Sequence, residues 1–180
     1  MSGDTTVIRE FEPEDDVVQL TAMLHRAYAP LAAQGLRYNA THQSPEATRR
    51  RLTCGHPLVA AVGGRLVGTI TAYGPDPESS ALTYRRPETF HFGQFGVDPE
   101  FKGRGIGRSL HRAMIEYAAR QGAKFMALDT AAPAADLVAL YERWGYAVVE
   151  RARWASVNYE SVIMLRPIAA LPHALPVPSQ

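Results

Sequence analysis

The sequence is short of several things, and each shortage removes a class of function. Its 180 residues include one cysteine, Cys54, which excludes both a disulfide framework and a cysteine metal cluster. No apolar run approaches the roughly 18–20 residues of a membrane span. The opening stretch Met1 to Thr6 lacks the charged-then-apolar pattern of a secretory signal, so a reducing, cytoplasmic setting is expected. Six histidines are present without an H-E-x-x-H pattern, and no metal site is expected. A net charge of +1 does not suggest a nucleic-acid binder, so any basic patch must be local. There is no internal repeat and no dividing linker. A composition 46% hydrophobic and 21% charged then reads as one soluble globular domain, residues 1–168. The last stretch, 169–180, carries three prolines and no core pattern, and reads as a tail.

What is present has a clear order. Residues 6–11 alternate like a strand. Pro13 and the acids Glu14, Asp15 and Asp16 suit a helix start, and Val17, Leu20, Leu24, Ala27, Tyr28 and Leu31 follow at helical spacing. Residues 35–43 are polar and read as a loop. Ser44 and Pro45 open a second helix, whose run Arg49 to Arg51 reads as a solvated face. Two strands flank Gly63 and Gly64, and a loop runs from Gly74 to Pro87. Residues 89–97 are aromatic-rich and strand-like, with Gly93 and Gly96 hinting at a bulge or a close backbone approach. Ile106, Leu110, Ala113, Met114, Tyr117 and Ala118 share one helical face, ended by Gly122. A buried-type strand follows over 124–130. Leu137, Leu140, Tyr141 and Trp144 mark a fourth helix, stopped at Gly145, and two strands close the domain. The order βααββ then βαβαββ predicts an α+β fold: a mixed sheet of about seven strands with about four helices packed on it.

The stretch from Val97 to Leu110, VDPEFKGRGIGRSL, carries the chemistry. A strand feeds a turn in which Gly103, Gly105 and Gly107 alternate with Arg104 and Ile106, and the turn feeds a helix. The first N–H groups of a helix point outward with partial positive charge, and glycines let a ligand approach the backbone. Together they make an anion site, most simply for phosphate, to which Lys102, Arg104 and Arg108 add attraction. The P-loop pattern G-x-x-x-x-G-K-[ST] is absent. The dinucleotide pattern G-x-G-x-x-G fails because Arg108 stands where its third glycine belongs. The pattern [Q/R]-x-x-G-x-[G/A] with V-x-P before it fits Val97, Pro99, Gly105 and Gly107, with Lys102 in first place.

On this stretch, and on LVALYERWGY at 137–146, the sequence resembles the GNAT superfamily of N-acetyltransferases. The resemblance covers residues 5 to 167 in element order. It implies a mostly antiparallel GNAT sheet and acetyl-CoA as the acyl donor, held by Phe95, Gly96, Val97, Lys102, Gly103, Arg104, Gly105, Ile106, Gly107, Arg108 and Tyr141. It implies a bulged strand splayed from its neighbour, with the Val97 N–H as oxyanion donor and Tyr141 as general acid. A free tyrosine phenol titrates near about pH 10, so it is protonated at neutral pH. Two positions depart from the family: Ala134 stands where an asparagine often contacts the cofactor, and Lys102 where glutamine or arginine is usual.

The remaining candidates are open. His91 is the candidate base, with a structural histidine as the alternative. Gln94 suits orienting a water. Asp129 either binds a cationic amine or caps the following helix. Tyr159 and Asn158, placed in the last strand, line the acceptor side, and Tyr38 and Gln43 belong to the loop that shapes it. Cys54 reads as a half-buried cysteine, with His56 the only nearby group to activate a covalent route. The expected function is direct transfer of an acetyl group to a primary amine on a small molecule or peptide. The chain is expected to bind neither nucleic acid nor membrane, and a homodimer is possible. The alternatives are an acetyl-CoA sensor without turnover and a transferase of longer acyl groups.

Overall fold

The computed structural model describes residues 5–169. Seven strands form one sheet in the order β1-β2-β3-β4-β5-β7-β6. The strands are β1 Val7–Glu10, β2 His56–Val62, β3 Arg65–Tyr73, β4 Thr89–Val97, β5 Phe125–Ala131, β6 Ala147–Arg153 and β7 Glu160–Pro167. The four helices are α1 Val17–Ala33, α2 Pro45–Thr53, α3 Ile106–Arg120 and α4 Ala135–Arg143. The expected α+β architecture is therefore observed, and β4–β5 is the one parallel pairing among the described strands. Beyond Ala169 the expected tail lies outside the described residues.

Local chemistry explains the elements. Asp15 is taken by Arg9 at 2.7 Å and by the Glu12 N–H at 2.8 Å, which curls residues 12–15 into a turn. Helix α1 therefore begins at Val17, not at Pro13, with the Asp16 carboxylate accepting from the N–H groups of Val18 and Gln19. Ser44 caps α2 as expected, with Pro45 in its first turn. Gly63 and Gly64 both take positive φ, as a two-residue hairpin turn between β2 and β3 requires. The loops at 35–43 and 74–87 each contain a short 3-10 turn, Asn39–Thr41 and Leu82–Arg85, and the second buries Tyr84.

Strand alternation sorts the core into two layers. Val59 and Ala61 pack with Leu20, Met23, Leu24 and Leu52 of α1 and α2. Leu58, Ala60 and Val62 pack on the other face with Ile106, Leu110 and Met114 of α3. The sheet is continuous except at one place. Strands β4 and β5 pair at Thr89↔Phe125, Phe90↔Met126 and His91↔Ala127 and then part, although β4 runs on to Val97 and β5 to Ala131. Over that length β5 stays paired with β7. A wedge opens in mid-sheet.

Within the α3 layer His111 is buried, its Nε2 2.7 Å from the Tyr146 hydroxyl. Burial first, and then the charges of Arg166 and Arg108, push its pKa down to about 4. Between that value and the unfolded value of about 6.5 the unfolded chain binds the extra proton. Stability should therefore fall as pH drops from about 6.5 towards 4, by on the order of 3 kcal/mol from this residue. Urea melts at pH 7 and pH 4.5 measure that slope, and His111→Phe should reduce it, leaving the share of the other buried histidine, His91.

Candidate active site

The wedge is held open by a kink in β4. Gln94 takes a φ of +50°, rare for a residue with a side chain. The register against β3 slips here, from Thr69↔Gly96 to Thr71↔Gly93, so Gln94 and Phe95 face one residue. The bulge thus falls on the two residues between the flagged glycines. Gly96 serves close approach instead: a Cβ there would lie 3.2 Å from Leu24 and 3.3 Å from Ala27 of α1. Gln94 is buried, and both ends of its carboxamide are bonded. Its Oε1 accepts from Gln43 Nε2 at 2.6 Å, and its Nε2 donates to the Thr48 carbonyl at 3.1 Å. It is a clamp, not the water-orienting group expected. Past the bulge the Asp98 N–H donates to Val67 in β3 at 2.8 Å. Successive N–H groups of a strand point to opposite edges, so that of Val97 faces the wedge. The Tyr28 hydroxyl of α1 donates to the Phe95 carbonyl at 2.8 Å.

Asp98, fully buried, anchors the turn that follows. It accepts from Arg26 at 2.6 Å, Arg65 at 2.8 Å and the Glu100 N–H at 3.2 Å. Burial works to raise its pKa, but the Arg26 hydrogen bond, the Glu100 N–H and Arg65 outweigh it, and the pKa ends below the usual carboxylate value. Gly103 and Gly105 have φ of +79° and +77°, with open space where a Cβ would stand, so glycine serves backbone shape there. At Gly107 a Cβ would meet the Phe95 ring at 3.4 Å. The first hydrogen bond of α3 runs from the Ser109 N–H to the Gly105 carbonyl. The N–H groups of Ile106, Gly107 and Arg108 therefore lack helical partners. Unlike α1 and α2, α3 has no side-chain cap, and its first turn has no acid. Lys102, Arg104 and Arg108 are exposed and form no ion pair among the described residues. This donor set fits an anion. An open cleft of about 750 Å³ continues from Gly105 and Arg108 to Arg143 at the end of α4 and Trp144 just beyond it.

A second cavity, of about 480 Å³, passes through the wedge itself. Tyr28 and Arg51 line it from one face of the sheet, and Leu137 and Tyr141 of α4 from the other. Tyr38, His91, Gln94, Asp129 and Tyr159 also line it, so most of the expected acceptor side converges. Gln43 does not: it lies behind the wall, bonding Gln94, Thr48 and Arg51. Asn158 and Tyr159 precede β7 instead of lying in it, and Asn158 ties two loops together through Arg37 and Gly35. Tyr38 is pinned by Thr130 at 2.8 Å and by the Ala131 N–H at 3.0 Å.

The titratable groups of this cavity are shifted by burial. Asp129 does not cap α4, whose N-cap is Ala134 without a side-chain bond. Its oxygens instead take Tyr84 and Trp154, each at 3.0 Å, with Ser161 at 3.4 Å. Burial raises its pKa, and those three donors offset part of the rise. The His91 ring is stacked between Tyr73 and Tyr84, with centroids 5.3 Å and 4.1 Å away. Burial pushes its pKa down to about 4, and its Nδ1 is buried without a partner among the described residues. Tyr141 is buried against Phe92, Trp144 and Tyr146, and burial first, then neighbouring Tyr28, pushes its phenol pKa well up.

Two expectations are corrected. Cys54, at the C-terminal end of α2, is exposed and not half-buried, because the helix ends there. His56 stacks on Tyr117 of α3 at 3.6 Å and makes no hydrogen bond to it. The run Arg49 to Arg51 is not uniformly solvated: Arg49 and Arg50 are exposed, whereas Arg51 turns inward with its helical neighbours Thr48 and Leu52. That i, i+3, i+4 spacing puts the three on one helical face, but two polar residues and one leucine do not mark it as the buried face. Tyr84 and Trp154, from a loop and a strand end, had no readable signal.

The sequence model of the acetyltransferase (GNAT) family matches residues 20–146. This chain belongs to that family. It is a GNAT acetyltransferase, and such enzymes use acetyl-CoA. S-(2-succino)cysteine N-acetyltransferase of Bacillus subtilis is 32% identical over 135 residues, 74% of this chain and 79% of that one. The ribosomal-protein-S18-alanine N-acetyltransferase of Escherichia coli superposes with a TM-score of 0.68 at 18% identity, covering 95% and 99% of the two chains. A GNAT enzyme of Elizabethkingia anophelis, solved with acetyl-CoA bound, gives a TM-score of 0.64 at 16% identity, covering 92% and 99%. At such identities the structural likeness speaks to the fold alone. No helix of the described residues is long and apolar enough to cross a membrane.

In this GNAT acetyltransferase Asp98→Ala should cost about 1.5–3 kcal/mol, the worth of hydrogen bonds to charged groups. Arg26 and Arg65 are partly exposed and can turn to solvent, which limits the loss. A depressed carboxylate pKa stabilises above the unfolded value, near 3.9, and its contribution is lost as pH falls through the folded value. The variant's urea midpoint should therefore lie below wild type at pH 7, with the gap closing below pH 4.

Proposed function

We propose that the chain binds acetyl-CoA along the α3 turn and the wedge, and transfers its acetyl group directly to a primary amine in a ternary complex. The observation that carries this reading is the parting of β4 from β5 after His91, beside a cavity that Tyr141 lines; it leaves the β4 edge towards Val97 unpaired and gives room for an acceptor. Acetyl-CoA supplies an activated thioester, and the rest falls to this chain. The free N–H groups of Ile106, Gly107 and Arg108 receive pyrophosphate, and Lys102 and Arg104 add long-range attraction. The wedge edge around Phe95, Gly96 and Val97 takes the pantetheine arm.

When the amine adds to the thioester carbonyl, negative charge gathers on oxygen, and the Val97 N–H is the donor for it. The C–S bond then breaks, and Tyr141, kept protonated by burial, gives its proton to the departing sulfur. His91 accepts the proton of the attacking nitrogen. Its basicity is low, but a nitrogen that has bonded to the carbonyl carbon is far more acidic than the free ammonium. Asp129 and Tyr159 face the amine, and Tyr38 supports that wall. The Bacillus relative is named for an amine-bearing amino acid, which supports nitrogen as the accepting atom.

Release of CoA thiol from acetyl-CoA across an amine panel tests the reading, and no turnover with any amine would overturn it. Acetyl-CoA should raise the melting temperature, by linkage worth about 2.7 kcal/mol at a hundredfold excess over Kd. Gly105→Asp should remove that shift by placing a carboxylate in the turn. Tyr141→Phe should keep cofactor binding and lose about 10²–10⁴-fold in kcat. Because His91 is neutral from about pH 4 upward, kcat/KM should rise through the acceptor's own pKa with no inflection near 6.5.

A further inference from the structure

Arg51 is the inward-turned cation of the acceptor cavity, and no carboxylate is paired with it among the described residues. Arg9, Arg26 and Arg65, the other arginines tied into the fold near α1 and β3, each face a carboxylate at 2.6–2.8 Å. Arg51 forms no ion pair among the described residues. Its Nη1 is held by two neutral oxygens instead, Gln43 Oε1 at 2.6 Å and Gln94 Oε1 at 3.4 Å. Those carboxamides are buried and locked to Thr48, so the guanidinium is aimed by the clamp that also makes the β4 kink. A Cβ at Gly93 would lie 3.7 Å from Arg51 Nη2, so the free edge of the guanidinium lies over β4 at the start of the wedge.

The other wall feels the charge of Arg51 through space but offers it no ion pair. Asp129 has its oxygens occupied by Tyr84, Trp154 and Ser161, and the remaining lining acid, Asp76, is exposed at the rim, as is Arg50. Between the walls runs a flat stack of Tyr73, His91, Tyr84 and Trp154. A cavity of about 480 Å³ with one aimed cation, one buried carboxylate and aromatic sides is sized for a small zwitterion. We propose that Arg51 anchors a carboxylate of the acceptor, so that the acceptor is a small amino acid whose amine is acetylated while its carboxylate pairs with the guanidinium. This rests on the transfer to an amine argued above. A planar guanidinium offers two parallel donors to a carboxylate, which an ammonium cannot match.

The test compares matched acceptors that differ only in the carboxylate: L-phenylalanine with L-phenylalaninamide, and L-methionine with L-methioninamide, each with acetyl-CoA. The amide's amine loses its proton more readily, so a preference for the acid runs against intrinsic reactivity. Wild type should show a KM for the acid lower by roughly 10- to 100-fold, the worth of a charge-assisted pair. Arg51→Gln should erase the preference, acting on KM more than on kcat, and Arg51→Lys should restore only part of it. Equal use of acid and amide by wild type, or a preference that survives Arg51→Gln, overturns the anchor. If Arg51→Gln does not fold, the wild-type pairs and Arg51→Lys still decide. The same pairs measured by calorimetry with CoA present separate this inference from the transferase reading. Acid-selective binding without turnover would sink acetyl transfer and keep the anchor. Turnover of amides and peptide N-termini with no acid preference would do the reverse.

Discussion

The carboxamide of Gln94 accepts from Gln43 at 2.6 Å and donates to the Thr48 carbonyl at 3.1 Å, and the rest of the site depends on this buried clamp. A side-chain-bearing residue at φ +50° is costly by itself, of order 1–3 kcal/mol, and persists only where its surroundings hold it. Thr48 and Gln43 belong to α2 and to the loop before it, so the kink in β4 is imposed by a neighbouring layer. Two residues then oppose one on β3, and the strand leaves β5 after His91. A sheet that would otherwise be sealed acquires an opening through its middle.

Everything near that opening is arranged around the loss of backbone partners. The edge of β4 beyond His91 faces the wedge with N–H groups that a paired strand would have consumed. The turn that follows is stiffened from beneath by Asp98, whose carboxylate gathers Arg26, Arg65 and the Glu100 N–H. With Asp98 buried below, Glu100 paired to Arg65 and no acid in the first turn of α3, the start of the helix presents N–H groups and exposed cations. The uncapped helix end would be a defect elsewhere; here its free N–H groups suit the anion-binding role proposed for the turn.

The cavity in the wedge follows the opposite rule: its charges are few and nearly all are satisfied. Asp129 is surrounded by three donors, and His91 is kept neutral by burial between aromatic rings. Tyr141 is kept protonated by the same desolvation. Against this background the guanidinium of Arg51 stands out, because its partners are carboxamides and its charge remains available to whatever enters.

The order of elements was legible because each depends on local periodicity. Strand alternation, the caps at Asp16 and Ser44 and the stops at Gly122 and Gly145 are set by neighbours within a few residues. The turn from Val97 to Arg108 was legible for the same reason, since glycines, basic residues and a helix start fall together in one stretch. The cavity was not. Arg51 looked like one of three solvated arginines, and only the packing of Thr48 and Leu52 against the core turns it inward. Asp129 looked like a possible cap, but Tyr84 and Trp154 reach it from residues 45 positions before and 25 after it. Gln94 carried no local sign of its φ, because the clamp comes from Gln43 and Thr48, roughly half a hundred residues away. By itself the sequence determined the elements, their order and the anion-binding turn, all products of short-range backbone chemistry. The wedge, the cavity and the charge state of every group within it were decided by the tertiary structure, because burial and partners distant in the chain exist only once the layers have packed.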